Sequence, residues 1–261
     1  MEALIQMILP SVVLPLLLSA LLWWVSRYYS VALWTLPLIW LPSLIWLIGW
    51  PSLVPAEANE WLMLLVIIAT LINFMYKLKP RVLFASQTFL LLLAVIAIAW
   101  PVMKYQFDMT LAIELLVVII VAVVLYRFSV VNLATTPTLS MAISSGGMGI
   151  VVALGGSILV GQLAGSLASV LAVFAIAEVI RKRQQSSLGT LKLIPVMQIY
   201  LAILVIARIF AEIPAGPSAL LLVAPLVGLI PATRYASAFS AVSVTAAISW
   251  LLLTADSSSY Y

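Results

Sequence analysis

The sequence contains no cysteine and no histidine among its 261 residues. It can therefore form no disulfide, offers no thiolate nucleophile and has no imidazole ligand for zinc or haem. Lys, Arg, Asp and Glu make up only 8% of the chain, whereas they make up about 25% of soluble domains. These absences argue against a soluble enzyme and against a disulfide-stapled scaffold, and we expect neither a cofactor nor a bound metal.

Motifs of known catalytic sites are missing as well. The chain has no Walker loop, no GxSxG elbow and no HExxH pair. Gly147 and Gly149 lack the third glycine of a dinucleotide-binding loop and do not follow a predicted strand. Glu57 and Glu60 are the one near pair of acidic residues, and we interpret them as solvated loop residues. The sequence gives no indication of an enzyme.

Apolar residues dominate what is present: 66% of the chain is hydrophobic. At about 20 residues per span, we predict an all-α polytopic integral membrane protein with about ten transmembrane helices. Residues 1–261 form a single transmembrane domain in this prediction, with no soluble domain. The predicted spans cover residues 3–25, 31–50, 61–76, 82–103, 109–126, 138–154, 157–180, 188–211, 217–231 and 236–254.

A glycine-rich stretch at residues 138–180 is predicted to pack at the centre of the bundle of helices. It has no charged residue before Glu178 and holds seven of the chain's 11 glycines. As one helix it would be about 65 Å long, roughly twice the thickness of a bilayer core. Gly155, Gly156 and Ser157 supply a flexible break followed by a helix N-cap. We therefore predict a helical hairpin of two spans.

Small residues recur at intervals of four on both sides of this break. The predicted helix-packing residues are Ser145, Gly149, Gly161, Gly165 and Ser169. This spacing allows two helix backbones to approach closely in lipid. The alternative is an unwound segment at residues 146–149 that offers backbone groups to a substrate. A similar small face in the last span, at residues 237, 241, 245 and 249, is a candidate partner for the hairpin.

Basic residues in the predicted loops fall on one side of the membrane if the chain crosses it ten times. They are Arg27, Lys77, Lys79, Arg81, Arg127, Arg181, Lys182, Arg183 and Arg234. Because Lys and Arg in short loops mark the cytoplasmic side, we predict a multi-pass protein of the cell inner (plasma) membrane with both termini non-cytoplasmic. The first apolar run has no preceding basic residue and no cleavage site, so we expect it to be a retained span.

Ionisable residues inside apolar spans are rare in this chain, and such residues often have a functional role. Glu114 lies five residues into the fifth span, and Arg208 lies near the end of the eighth at a similar depth. One interpretation pairs them between spans. The interpretation that sequence spacing favours pairs Arg208 with Glu212 at the interface. Gln162 and Gln198 complete the candidate polar site, although such amides more often form hydrogen bonds between helices.

Two classes of function are compatible with these features. The many spans and the isolated Glu114 favour a permease-like protein for a small or lipophilic solute. The lack of a dense polar cluster within the spans favours instead a structural or assembly subunit that packs through small-residue helix faces. The expected partners are the lipid bilayer and other membrane subunits or a second copy of the chain. The net charge of +4 is explained by cytoplasmic loops, and we expect no nucleic-acid partner.

Overall fold

The computed structural model describes residues 6–26, 28–52, 55, 57–74, 80–105, 109–131, 137–180, 190–227 and 236–258. Within these ranges the protein is all-helical and contains no strand. The α-helices are α1 (Leu14–Ser26), α2 (Leu41–Ile48), α3 (Ala58–Phe74), α4 (Pro80–Tyr105), α5 (Met109–Val131), α6 (Pro137–Leu154), α7 (Ile158–Ile180), α8 (Thr190–Phe210), α9 (Ala215–Val227) and α10 (Ala236–Ser258). A π-helical segment, Leu9–Val13, precedes α1, and a 3-10 helix, Ser30–Trp40, precedes α2.

Five helical segments are long and apolar enough to cross a membrane, which identifies a membrane protein. They are Gln6–Ser26, Ala85–Tyr105, Ile158–Ala177, Leu193–Phe210 and Ser237–Thr254. Five further apolar helical segments are shorter: Thr35–Ile48, Ala58–Phe74, Met109–Val124, Thr138–Leu154 and Ala215–Leu226. A span of about 20 residues matches the 30 Å thickness of the hydrocarbon core. Each of the five longer segments is therefore long enough to cross a bilayer.

The most buried helix of the bundle is α8, and not a helix of the glycine-rich stretch that the sequence predicts at the centre. The segment Leu193–Phe210 of α8 is 83% buried, compared with 22% for Ser237–Thr254 of α10. Six α-helices pack around α8, namely α3, α4, α5, α6, α7 and α9, and the 3-10 helix Ser30–Trp40 contacts it as well. A helix that is apolar on every side is typical of a buried helix or a membrane span, and α8 is enclosed by other helices. Gln198 on α8 is fully buried and therefore lies between helices.

Large apolar side chains cover the outside of the bundle. Leu17 is 65% exposed, Phe89 is 61% exposed and Leu253 is 72% exposed. A soluble monomer rarely exposes large continuous apolar patches. Hydrocarbon chains of a bilayer would solvate these surfaces, in agreement with the composition of the chain.

The residues of the second predicted span do not form one continuous helix. The 3-10 helix Ser30–Trp40 contains Pro37, and α2 begins at Leu41 with Pro42 in its first turn. Proline removes a backbone donor and is tolerated at the first turn of an α-helix, which places the change of helix type next to Pro42. Trp40 is fully buried at this junction, and its Nε1 donates a hydrogen bond of 2.6 Å to Oγ of Ser166 on α7.

The chain reverses direction between α6 and α7 within three residues. Gly156 has a φ of 106°, in the left-handed region that favours glycine. Its N–H donates to the carbonyl oxygen of Ala153 at 3.3 Å, and the N–H of Ser157 donates to that of Val152 at 3.1 Å. This pair of bonds is the Schellman motif that ends helices. The two helices then pack side by side, more extensively than any other pair among the described residues.

Two glycines bring the backbones of α6 and α7 together. A Cβ atom added to Gly161 would lie 2.9 Å from the carbonyl oxygen of Gly149, and one added to Gly149 would lie 3.0 Å from that of Gly161. Gly165 differs, because a Cβ atom added there would meet no atom within 4 Å. Gly165 still lies at the contact between α6 and α7, since a Cβ atom added to Gly149 would lie 3.2 Å from the backbone nitrogen of Gly165. Four-residue spacing places both on one helix face, but an added Cβ atom would meet the backbone of α6 only at Gly161.

The other predicted packing residues have different surroundings. Ser145 is fully buried on α6. Ser169 donates a hydrogen bond of 3.3 Å to the carbonyl oxygen of Ser11, in the π-helical segment at the start of the chain. The small-residue face of α7 therefore meets α6 at Gly161 and the N-terminal segment at Ser169.

The small face of the last span does not pack against the glycine-rich helices, contrary to expectation. The contact between α10 and α6 places Val244 against Gly147, where an added Cβ atom would lie 2.2 Å from Cγ1 of Val244. Thr245 and Ser249 are exposed on another side of α10. The bulkier face, which includes Val244, Ala247 and Leu251, is buried because it removes more apolar area and fills the groove that Gly147 leaves open.

The predicted orientation depends on residues that are largely outside the described ranges. These are Arg27, Lys77, Lys79, Arg181, Lys182, Arg183 and Arg234. Among the residues predicted for the opposite side, Glu57, Lys104 and Glu212 are described and exposed. The orientation stays a prediction.

Candidate functional site

An ion pair joins α5 and α8 at one end of the bundle. Glu114 is in the second turn of α5, and Arg208 is in the last turn of α8. Nε of Arg208 donates to Oε2 of Glu114 at 2.7 Å, and Nη2 donates to Oε1 at 2.9 Å. Two parallel charge-assisted bonds of this kind are stronger and more directional than neutral hydrogen bonds. The side chains are only 30% and 25% exposed, so water screens the pair less than it would at an open surface.

Arg208 has a third bond, which holds the guanidinium in place. Its Nη1 donates to the carbonyl oxygen of Ile213 at 3.1 Å, in the connection between α8 and α9. That connection also caps the C-terminal end of α8, because the N–H of Ile213 donates to the carbonyl oxygen of Ala207 at 3.4 Å. The chain that caps α8 therefore also orients Arg208 towards α5.

The favoured prediction that Arg208 pairs with Glu212 is wrong. Spacing of four residues brings side chains together only within one helix, and α8 ends at Phe210. Glu212 lies beyond that end with a φ of 51° and is exposed. Its left-handed backbone belongs to the reversal between α8 and α9, and Arg208 is bonded to Glu114 instead.

A cavity of about 190 Å³ lies beside the ion pair, between α5, α8 and α9. Glu114 and Arg208 line it together with Ser218, and its other walls are apolar side chains that include Leu115, Val118, Leu204 and Leu222. It is partly open to the outside of the protein. An apolar cavity of about 150 Å³ is sufficient to bind benzene, so this one has space for a small guest.

No protein-family model, no curated protein and no solved structure matches this chain. The chemistry of the site must therefore be deduced from its geometry. Apolar walls favour a hydrocarbon-like guest, and a few convergent polar groups fix its orientation. Glu114 and Arg208 are the charged groups that line this cavity. The arrangement suits a guest with a small apolar body and a polar or charged head.

The structure does not bring Gln162 and Gln198 into this site. Gln198 precedes Arg208 by ten residues on α8, about 15 Å along the axis. Its Nε2 donates to the backbone oxygen of Gln87 on α4, and Nε2 of Gln87 donates to that of Ala69 on α3 at 3.1 Å. These amides join α3, α4 and α8. Gln162 is half-buried on α7 and is not among the residues that line the cavity.

Sequence reasoning missed the apolar walls and Ser218 of this site. Their residue types are ordinary for membrane helices, so no local signal distinguishes the lining residues from other buried ones. The isolated charges of Glu114 and Arg208 are the signals that were available, and they indicate the part of the bundle where α5 and α8 meet.

Tyr200 holds α9 against α8 one helical turn from the cavity wall at Leu204. Its hydroxyl group donates a 2.6 Å hydrogen bond to the carbonyl oxygen of Leu221, and the side chain is fully buried. Within an α-helix that carbonyl would accept from the residue four positions later, but this residue is Pro225, which has no N–H. The tyrosine supplies the donor that the proline removes.

Replacing Tyr200 with phenylalanine is therefore expected to lower the free energy of unfolding by about 1–3 kcal/mol, the cost of a buried unsatisfied carbonyl group. Titration with sodium dodecyl sulfate in mixed micelles measures this change. Pro225→Ala should recover much of the loss in the Tyr200→Phe background, because residue 225 then donates to Leu221. Tyr105→Phe is the control, since Tyr105 is 78% exposed. Equal stability of Tyr200→Phe and Tyr105→Phe would contradict this role.

Proposed function

We propose that this protein is a permease-like membrane protein that moves a small, largely apolar solute through the cavity between α5, α8 and α9. The observation that carries the proposal is the ion pair of Glu114 and Arg208 in the wall of an otherwise apolar cavity. Charged groups at membrane depth are costly and commonly line a substrate or ion pathway. If the ion pair did not serve a guest, apolar side chains of similar volume could take its place with little loss of stability.

Prolines inside two helices around the cavity support movement of this kind. Pro195 lies inside α8 and Pro225 inside α9. Helices at transporter sites commonly contain proline or glycine, because local bends allow them to rearrange. Two of the three helices that line the cavity contain such a proline.

The proposal includes ten crossings of the inner (plasma) membrane, with both termini non-cytoplasmic. The ten α-helices of the described residues follow one another in the order of the ten predicted spans. The lengths of α6 and α7, 18 and 23 residues, support two crossings by residues 138–180, a hairpin, over a re-entrant element. An even number of crossings puts both termini on one side, and the one-sided basic residues of the predicted loops favour the non-cytoplasmic side.

Cysteine labelling tests the proposal, because the chain has no native cysteine. A permease must open its cavity to each side of the membrane in turn. We expect Val118→Cys, in the cavity wall, to react with a membrane-impermeant maleimide from either face of oriented vesicles. Ile120→Cys should react from neither face, since Ile120 is 53% exposed on the outside of α5 and does not line the cavity. Reaction of Val118→Cys from one face or neither would contradict the proposed function.

A structural or assembly subunit is the second candidate, and one surface favours it. Ala241, Thr245, Ala246 and Ser249, together with Val242, form a shallow, open depression on α10 that no other described part of the chain covers. Small residues at such a surface allow a second helix to approach closely. Labelling of Val118→Cys from one face or neither would favour this candidate, with other membrane proteins or a second copy of the chain as partner.

A further inference from the structure

We propose that the cavity selects small uncharged amphiphiles, with a hydroxyl or carboxamide head on a compact apolar body, and that the ion pair of Glu114 and Arg208 stays closed when such a guest binds. This inference rests on the proposed function, because it names the substrate class of the same cavity. Three observations support it: the bonding of the ion pair, the hydrogen-bonding groups that remain for a guest, and the apolar side chains at the opening.

A charged guest cannot join the ion pair without leaving one charge unpaired. Nε and Nη2 of Arg208 donate to the two carboxylate oxygens of Glu114 at 2.7 and 2.9 Å, and Nη1 donates to the carbonyl oxygen of Ile213 at 3.1 Å. An anion that took the guanidinium would displace the carboxylate, and a cation that took the carboxylate would displace the guanidinium. A charge without its partner is strongly unfavourable at a partly buried position. The closed pair therefore excludes ions of either sign.

Hydrogen-bonding groups remain in the cavity for an uncharged head. A guanidinium has five N–H groups, and three of those of Arg208 donate within the described part of the chain. The other two can donate to the oxygen of a hydroxyl or carboxamide group while the ion pair stays closed. Ser218 lines the same cavity, and its hydroxyl group can donate or accept. These groups give an uncharged head two kinds of partner and add no charge to the site.

Apolar side chains lie at the opening of the cavity. Ile113 and Val117 line it and are 56% and 43% exposed, whereas Leu115 and Val118 on the same helix are buried in its wall. A guest that enters past Ile113 and Val117 exchanges water for apolar surroundings. The loss of hydration costs a charged head far more than it costs a hydroxyl or amide group. The opening therefore disfavours the same guests as the ion pair does.

Four probes with one ring and different heads test this inference: benzyl alcohol, toluene, benzenesulfonate and benzyltrimethylammonium. The cavity of about 190 Å³ has space for the ring and a small head, since about 150 Å³ is sufficient for benzene. Equilibrium dialysis of each radiolabelled probe against the purified full-length protein, at pH 8 in a non-ionic detergent, measures binding. Dialysis against micelles without protein gives the blank.

We expect benzyl alcohol to bind saturably, with a Kd about tenfold or more below that of toluene, because its hydroxyl group accepts a hydrogen bond from a charged donor. Neither ion should bind saturably. The inference would be overturned by equal affinity for benzyl alcohol and toluene, by saturable binding of either ion, or by the lack of benzyl alcohol binding.

A substitution in the cavity wall locates the binding site. Val118→Phe places a ring in the space that the guest would occupy, and we expect it to abolish saturable binding of benzyl alcohol. Ile120→Phe is the matched control on the outside of α5, where Ile120 is 53% exposed and does not line the cavity; it should bind benzyl alcohol as the unmodified protein does. Unchanged binding to Val118→Phe would contradict the assignment. If that variant does not fold, the four probes with the unmodified protein decide.

Opening the ion pair should change which guests bind. Glu114→Gln leaves the guanidinium of Arg208 without its carboxylate, so this variant should bind benzenesulfonate saturably and still reject benzyltrimethylammonium. A folded Glu114→Gln that does not bind benzenesulfonate would contradict exclusion of anions by the pair, and if it does not fold, the probe series again decides. Two-sided labelling of Val118→Cys without benzyl alcohol binding refutes this inference alone; benzyl alcohol binding without two-sided labelling refutes transport alone.

Discussion

Replacing Glu114 with glutamine is expected to lower the free energy of unfolding by about 1–3 kcal/mol. Removing one partner of a fully buried ion pair costs about 3–5 kcal/mol because the other charge is left uncompensated. Here the side chains of Arg208 and Glu114 are 30% and 25% exposed, and partial hydration reduces the cost. Thermal melting in a non-ionic detergent measures the change.

The double variant Glu114→Gln, Arg208→Gln should be more stable than Glu114→Gln alone, because it removes the unpaired cation. The interaction energy from the double-mutant cycle should be about 0.5–3 kcal/mol, as for groups in direct contact. Glu212→Gln is the matched control and should change stability by less than about 0.5 kcal/mol, as at other exposed positions. A larger loss for Glu212→Gln than for Glu114→Gln would show that Arg208 is paired with Glu212.

Replacing Gly161 with alanine is expected to destabilise the protein by about 1–3 kcal/mol through overpacking. The added methyl group would lie 2.9 Å from the carbonyl oxygen of Gly149 and 3.0 Å from Cβ of Ala153. Both atoms belong to α6. One is a backbone atom and the other is attached directly to the backbone, so neither can move aside as the end of a flexible side chain would. The steric clash is relieved only if α6 and α7 move apart. Thermal melting in detergent should detect the resulting loss of stability as a lower melting temperature.

Gly165→Ala provides the matched control on the same helix, four residues away. Its added methyl group would meet no atom within 4 Å. No steric clash therefore offsets the gain of about 1 kcal/mol in helix propensity on replacing glycine with alanine. We expect unchanged or slightly raised stability for Gly165→Ala. If Gly161→Ala and Gly165→Ala melt at the same temperature, the close approach of α6 and α7 at Gly161 is contradicted.

Several features followed directly from the sequence because they depend on neighbouring residues along the chain. Long apolar runs and the scarcity of charge predict membrane helices from composition alone. Gly155, Gly156 and Ser157 predict a break in the helix, since glycine permits the left-handed backbone angle that Gly156 adopts, with a φ of 106°. The exceptional cost of an acidic group at membrane depth singled out Glu114 before any contact was known.

The tertiary structure alone decided which of these residues meet. Sequence spacing favoured Glu212 as the partner of Arg208, but the end of α8 at Phe210 removes Glu212 from the helix face and the packing of α5 supplies Glu114. The same spacing made Gly161 and Gly165 equivalent, yet an added Cβ atom would meet the backbone of α6 only at Gly161 and not at Gly165. Periodicity determines which residues share one face of a helix. The rotation of that helix and the identity of its neighbour depend on how all the helices pack together, and no short stretch of sequence contains that information.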